Sequence, residues 1–284
     1  MDIIKAIVIS IVQGITEFLP ISSSGHILLL KRLFDFEVND NTFDIVIHFG
    51  TTIAVIIYFR REIYELIKAL FVEKINSALF EKVILRKDAV KLWICMIVAN
   101  IPAVIVGIFF DEYLETVFGA LGRIVFLILS GLFFYTAILL FSTNVLHNKK
   151  NKDFFSISYF DAVIIGIFQA IAVTPGISRS GSTISSATFM GVESKDAGRF
   201  SFLISIPLIL GAFLFKVIKN LKIDNFTDNN NVLIMIIGFI VSFITGYGAL
   251  KALFNIIKKG KFWAFGVYMI IPIAVSLLIY FMKL

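Results

Sequence analysis

Two short polar stretches interrupt an otherwise apolar chain. Residues 13–26 read QGITEFLPISSSGH, and residues 174–183 read TPGISRSGST. Gln13 and Glu17 are four apart and so share one face of a helix. Pro20 ends that helix, Ser22, Ser23, Ser24 and Gly25 form a break, and His26 opens the next arm. In the second stretch Pro175 and Gly176 break the chain before Ser178, Arg179, Ser180, Gly181, Ser182 and Thr183. A break leading straight into a helix N-terminus offers free N–H groups and a positive dipole end to an anion. Gly25 and Gly181 let the backbone approach closely, and Arg179 presents a two-pronged fork to phosphate oxygens. The serines add donors, and one of them can be a nucleophile if a base stands nearby. Glu17 and His26 are the candidates for acid–base work. Together these groups supply what phosphoryl transfer needs. The chain has no GxxxxGK[ST], no HExxH and no Cys/His zinc spacing, which argues against a nucleotide-driven motor and a tightly bound transition metal.

The two stretches belong to a repeat. Residues 6–26 and 162–182 align without gaps at an offset of 156, with nine of 21 positions identical. The identities include Gln13/Gln169, Ser22/Ser178, Ser24/Ser180 and Gly25/Gly181. Shared hydrophobicity explains matching isoleucines but not those polar pairs in register. Each copy is an apolar run, a polar break and a second short apolar run. Neither arm reaches the roughly 20 residues of a membrane span, so each copy is expected to be a re-entrant helix–break–helix. Paired broken segments of this kind mark membrane binding sites.

The elements that must hold these tips come from composition. Of 284 residues, 58% are hydrophobic and 16% charged, against roughly 25% charged in soluble domains. Mean hydropathy is +0.93. A bilayer is the solvent this implies. Cys95 is the single cysteine, which excludes an intrachain disulfide. Net charge +6 fits cytoplasmic loops and lipid headgroups without invoking nucleic acid. Spans are expected near 42–59, 92–110, 123–141, 200–216, 232–250 and 262–282. The 60–91 loop carries eight Lys and Arg and reads as inside, with an amphipathic helix along the surface. The 111–122 loop, with Asp111, Glu112 and Glu115, reads as outside; 142–156 and 251–261 read as inside, and 217–231 carries mixed charge. Met1–Leu19 lacks a cleavage site and reads as part of the mature chain.

The expected fold is therefore all-α integral membrane: six transmembrane helices plus two re-entrant segments in an inverted-topology repeat. The first repeat covers 1–156 and the second 157–284, in one membrane domain. Three spans separate the copies, so the second is upside down relative to the first and the polar tips meet near the midplane. Non-helical backbone at that depth must be buried in protein or face water. Charged residues there are functional candidates by cost; the alternative is an internal ion pair tying the repeats together. Elsewhere, Asp44 and His48 read as a satisfied interfacial pair and Asn100 before Pro102 as a kink with a helix–helix hydrogen bond. Trp93, Trp263 and Tyr280 read as interfacial anchors.

At these motifs the chain resembles the undecaprenyl-diphosphate phosphatase family, the bacitracin-resistance type of bacterial membrane enzyme, over nearly its whole length. QGITEFLPISSSGH is similar to its signature [E/Q]GxTEFLPxSSxGH, and PGISRSGST to PGxSRSGxT; FDIVIHFGTTIAV, NIPAVIVG and RFSFLISIP occupy similar supporting places. The resemblance implies hydrolysis of undecaprenyl diphosphate, recycling the lipid carrier of cell-wall synthesis, with Mg²⁺ or Ca²⁺ and no nucleotide. It implies Glu17, Ser23, His26 and Arg179 as catalytic, with Ser23 and His26 as nucleophile or proton-transfer partner. Gln13, Ser22, Ser24, Gly25, Ser178, Ser180, Gly181 and Thr183 complete the expected substrate-binding set. Gln13 stands where many members carry Glu, leaving Glu17 as the sole carboxylate of the site. Implied too are the bacterial plasma membrane, a site opening to its outer face, lipid partners and a homodimer as an assembly left open. The competing class is a lipid flippase or secondary transporter, since inverted repeats with broken helices also build carriers.

Overall fold

Pro20 and Pro175 each cut an apolar run that would otherwise continue as helix. In the computed structural model, which describes residues 3–34, 41–146, 152–220 and 229–282, α1 (Ile3–Phe18) ends two residues before Pro20. Helix α2 (Ser23–Leu33) follows with Ser22 as its N-cap. The same pattern recurs in α7 (Tyr159–Ile171), the turn around Pro175, and α8 (Arg179–Phe189) capped by Ser178. These four helices have 16, 11, 13 and 11 residues, all short of a span.

The long helices are α3 (Asn41–Tyr58), α5 (Arg86–Ala120), α6 (Ile124–Leu146), α9 (Ser194–Asn220) and α10 (Asn229–Lys258). The last span is α11 (Ala264–Tyr268) followed by α12 (Ile270–Met282). Among the described residues, five stretches are long and apolar enough to cross a membrane, within α5, α6, α9, α10 and α11–α12. A sixth, α3, passes together with α4 (Arg60–Phe71), from which it is bent by 66°. The protein is thus all-α in its membrane part and multi-pass. Large apolar side chains such as Ile97, Phe109, Phe134 and Ile271 remain exposed on the outer helix faces, as a lipid solvent permits.

The halves interlock. Helix α1 packs on α10 while its counterpart α7 packs on α5; α2 touches α12 while α8 touches α6; and α3 meets α9 between them. Small residues set these crossings. A Cβ on Gly14 of α1 would stand 2.8 Å from the Ser242 carbonyl of α10, and one on Gly166 of α7 2.7 Å from the Ala99 carbonyl of α5. The helix–helix hydrogen bond expected at Asn100 is present: Gln169 Nε2 donates to Asn100 Oδ1 at 3.0 Å and to the Ala99 carbonyl at 3.1 Å.

Three expectations need correction. Helix α5 runs unbroken to Ala120, so 111–122 is largely helix rather than loop; acidic residues are adequate helix formers and do not end one. The 60–91 stretch does contain a helix, α4, which buries Leu66 and Ala69. It continues, however, into a hairpin of β1 (Lys74–Ser77) and β2 (Lys82–Leu85), with Ser77 opposite Lys82. Contacts to a distant segment hold it: Lys82 Nζ meets Asp153 at 2.5 Å, and Phe80 stacks on Phe154 at 5.4 Å. Partial burial would raise the Asp153 pKa, but hydrogen bonds from Lys82 and Ser156 outweigh it and hold it below the usual carboxylate value. Finally, Asp44 and His48 do not pair through side chains. His48 Nδ1 contacts the Asp44 backbone carbonyl at 2.7 Å, and the Asp44 carboxylate faces Lys31 at 3.5 Å. Of the 217–231 loop, 221–228 lies outside the described residues, as do Lys149 and Lys150.

Candidate active site

Each tip is organised by its cap. Ser22 Oγ accepts the Gly25 N–H at 3.3 Å and Ser178 Oγ accepts the Gly181 N–H at 3.1 Å. Ser22 also contacts Ser24, and Ser178 contacts Ser180, both hydroxyl to hydroxyl at 3.3 Å. The tips differ in one respect. Ser178 is extended, whereas Ser22 has φ 69° and ψ 98°, a left-handed conformation that a side chain makes costly. That conformation leads the Ser22 carbonyl to the ring of His26, whose Nδ1 lies 2.8 Å away.

The tips meet each other. The Gly176 N–H donates to Ser24 Oγ at 3.3 Å, Ser180 Oγ donates to the Leu19 carbonyl at 3.3 Å, and Arg179 Nη2 donates to Glu17 Oε1 at 3.0 Å. Gly25 serves this approach directly: a Cβ there would lie 2.6 Å from the Phe133 ring and 3.2 Å from Gly176 Cα. Gly176 itself has φ 102°, a conformation glycine adopts without strain.

Glu17 is the hub. Its Oε2 accepts from Ser23 Oγ at 2.7 Å and from Gln13 Nε2 at 3.1 Å, while Oε1 takes Arg179. Ser23, the carboxylate and the guanidinium thus form one chain across the two halves. The ion-pair alternative is also realised, because Glu17 and Arg179 are only 10% and 15% exposed in their side chains. The pair is not closed, however. Arg179 Nη1 and Ser182 Oγ are buried with no partner, as is Gln13 Oε1. Buried polar atoms normally find one, so an unspent guanidinium prong beside a serine–carboxylate pair is what an oxyanion would complete.

The expected residues fall into four sets. Gln13, Glu17, Ser23, Ser24, Arg179 and Ser180 meet at the junction. Ser22, Gly25, Ser178 and Gly181 form the caps. Thr183 is turned inward, donating to the Arg179 carbonyl at 2.9 Å and contacting Ser201. His26 stands apart, with no hydrogen bond to Glu17, Ser23 or Arg179 among the described residues. Its ring lies between Phe133, at 5.7 Å edge-on, and Tyr268, stacked at 5.8 Å. Sequence reasoning missed Tyr268 and Thr136, whose hydroxyl accepts the Ser178 N–H at 3.3 Å. Both lie in spans where nothing in the local pattern marks them.

A divalent cation has a limited set of ligands here. Among the described residues no three His, Cys, Asp or Glu side chains converge on a metal position. A carboxylate only accepts, so the Gln13 amide nitrogen faces Glu17 and leaves Oε1 unpartnered. One carboxylate and one free amide oxygen suit a hard cation that keeps waters and shares phosphate oxygens with its ligand. They do not make a complete protein cage.

The chain has relatives among known proteins. The chain matches the family described as bacitracin resistance protein BacA over residues 6–275. It is 36% identical to the undecaprenyl-diphosphatase of Bacteroides thetaiotaomicron over 269 residues, covering 94% of this chain and 95% of that protein. The undecaprenyl-diphosphatase of Methanococcus vannielii is 38% identical over 265 residues, 92% and 94% of the two chains. That of Treponema denticola is 37% identical over 281 residues, 99% and 98%.

Proposed function

The chain belongs to the bacitracin resistance protein BacA family, and from that membership and the junction of the two tips we propose that it is an undecaprenyl-diphosphatase. It hydrolyses undecaprenyl diphosphate to undecaprenyl phosphate and inorganic phosphate, returning the lipid carrier to cell-wall synthesis. Ser23 Oγ attacks the terminal phosphorus; the Oγ–P bond forms, the bridging P–O bond breaks, and the Ser23 proton passes to Glu17. The leaving group is a phosphate monoester, whose second pKa near 6 lets it depart without a proton. Water then attacks the phosphoserine, its proton going to His26, and the Oγ–P bond breaks to release phosphate. Glu17 returns its proton to Ser23. Arg179 binds the terminal phosphate through Nη1 while Nη2 stays on Glu17, which sets the phosphate beside the nucleophile. Charge spreading over the transferring phosphoryl oxygens is met by that fork and by the helix N-termini. Glu17 and Gln13 Oε1 would hold a Mg²⁺ or Ca²⁺ ion, which would supply charge neutralisation for the diphosphate.

The observation that carries this reading is the continuous contact Ser23–Glu17–Arg179 with its buried, unspent Nη1. We place the chain in the bacterial plasma membrane, with the basic stretches 60–91, 142–156 and 251–261 inside and, from the family resemblance, the site open to the outer face. Residues 1–156 and 157–284 are read as two inverted repeats of one membrane unit, supported by the paired helix crossings. A homodimer is compatible with the exposed apolar faces. No observation above favours the carrier alternative. The test is release of inorganic phosphate from undecaprenyl diphosphate by the purified protein with Mg²⁺. Equal amounts of phosphate and undecaprenyl phosphate are expected; folded protein that binds the lipid and releases neither would overturn the proposal.

A further inference from the structure

His26 is held by a residue from the far end of the chain. Pro272 has no N–H for the Tyr268 carbonyl one turn earlier, and the helix breaks there into α11 and α12. Tyr268, the last residue of α11, places its hydroxyl 3.0 Å from His26 Nε2 and its ring parallel to the imidazole, within 15°. Phe133 closes the other side. On the opposite nitrogen, the Ser22 carbonyl can only accept, so Nδ1 carries a proton. The lone pair of the neutral ring therefore lies on Nε2, where the Tyr268 O–H donates. The strained backbone of Ser22 serves the bond at Nδ1, and the break at Pro272 serves the bond at Nε2.

We infer that Tyr268 is a positioning residue for His26: its ring and hydroxyl keep the imidazole neutral, with the proton on Nδ1 and the lone pair on Nε2. This deepens the phosphatase reading and rests on it, since the neutral Nε2 is the atom that takes the proton of the hydrolytic water. Tyr268 O–H holds Nε2 in the resting protein, and the hydrolytic water takes its place when the phosphoserine is hydrolysed. Glu17 contacts Ser23 and the tyrosine contacts His26, so the two proton acceptors have separate partners.

Two measurements test this. The chain has three histidines, so ¹⁵N-histidine NMR of the purified protein resolves the ring, with a His26→Gln sample to assign it. Above pH 8 the wild-type ring should carry its proton on Nδ1 and show a hydrogen-bonded, unprotonated Nε2. A proton on Nε2 instead would overturn the inference whatever the kinetics of the variants. In Tyr268→Phe, which keeps the stacked ring, the Nε2 resonance should shift toward that of a free lone pair. In the same variant kcat should fall about tenfold, the effect of one hydrogen bond, with KM and Tm unchanged. An unshifted resonance, or unchanged kcat despite the shift, would refute the positioning role. If wild-type protein releases no phosphate, the proposed function fails, and the NMR result still decides who holds His26.

Discussion

Ser23→Ala removes the hydroxyl that donates to Glu17 at 2.7 Å, whereas Ser24→Ala removes one that accepts from the Gly176 N–H. The first should abolish phosphate release and the second only weaken it, because only Ser23 contacts Glu17; near-normal rates in Ser23→Ala would remove its proposed role. Arg179→Lys keeps the charge beside Glu17 but loses the second prong. Turnover should fall by about 10²–10³, or roughly 2.7–4 kcal/mol, as for loss of a preorganised transition-state donor, with little change in Tm. Arg179→Ala differs, since it leaves a buried carboxylate unpaired and should cost about 3–5 kcal/mol in stability. Comparing kinetics and melting of the two variants separates phosphate clamp from structural ion pair. Gln13→Glu sets a second carboxylate beside Glu17, so its activity should depend on Mg²⁺ more steeply than the wild type's; a metal titration checks this. These residues were legible because Gln, Glu, Ser and Arg are costly in apolar runs. Tyr268 was not, since a tyrosine in a span reads as an interfacial anchor and its partner lies 242 positions away.

The helix–break–helix elements were legible for a related reason: Pro20, Pro175 and the capping serines are local signals. Their meeting depends on absent side chains. Gly25→Ala forces a methyl against Phe133 and Gly176, and overpacking of this kind costs about 1–3 kcal/mol. Both Tm and turnover should drop together, and a variant with normal values would show that the tips have slack. The hairpin escaped the sequence because four-residue strands carry little pattern and are held by Asp153 and Phe154, some 70 positions on. The Asp153 pKa is lowered in the fold, so its contribution is present above the unfolded value near 4 and is lost as pH falls through the folded value. Limited proteolysis within 74–85 should therefore accelerate below about pH 4 and stay constant between about pH 5 and 8. Asp153→Asn should abolish that pH dependence.

At the scale of the whole molecule, the 156-residue offset is expressed as matched crossings: α1 on α10 and α7 on α5, α2 on α12 and α8 on α6. Each broken segment thus packs on helices of the other half as well as its own, and the two polar tips meet in an apolar body. The symmetry ends at the chemistry. One tip supplies Glu17, Ser23 and His26, while the other supplies Arg179; Val173 stands where the repeat would place a second Glu17. In the proposed reaction Ser23 carries the phosphoryl group between its two owners, lipid and water. This step is tested by incubating the protein with undecaprenyl diphosphate labelled in the terminal phosphate, quenching within one turnover, and locating the label by tandem mass spectrometry. Label is expected on Ser23 in the wild type, and neither label nor turnover in Ser23→Ala. Turnover with no labelled serine, undiminished in Ser23→Ala, would contradict the step.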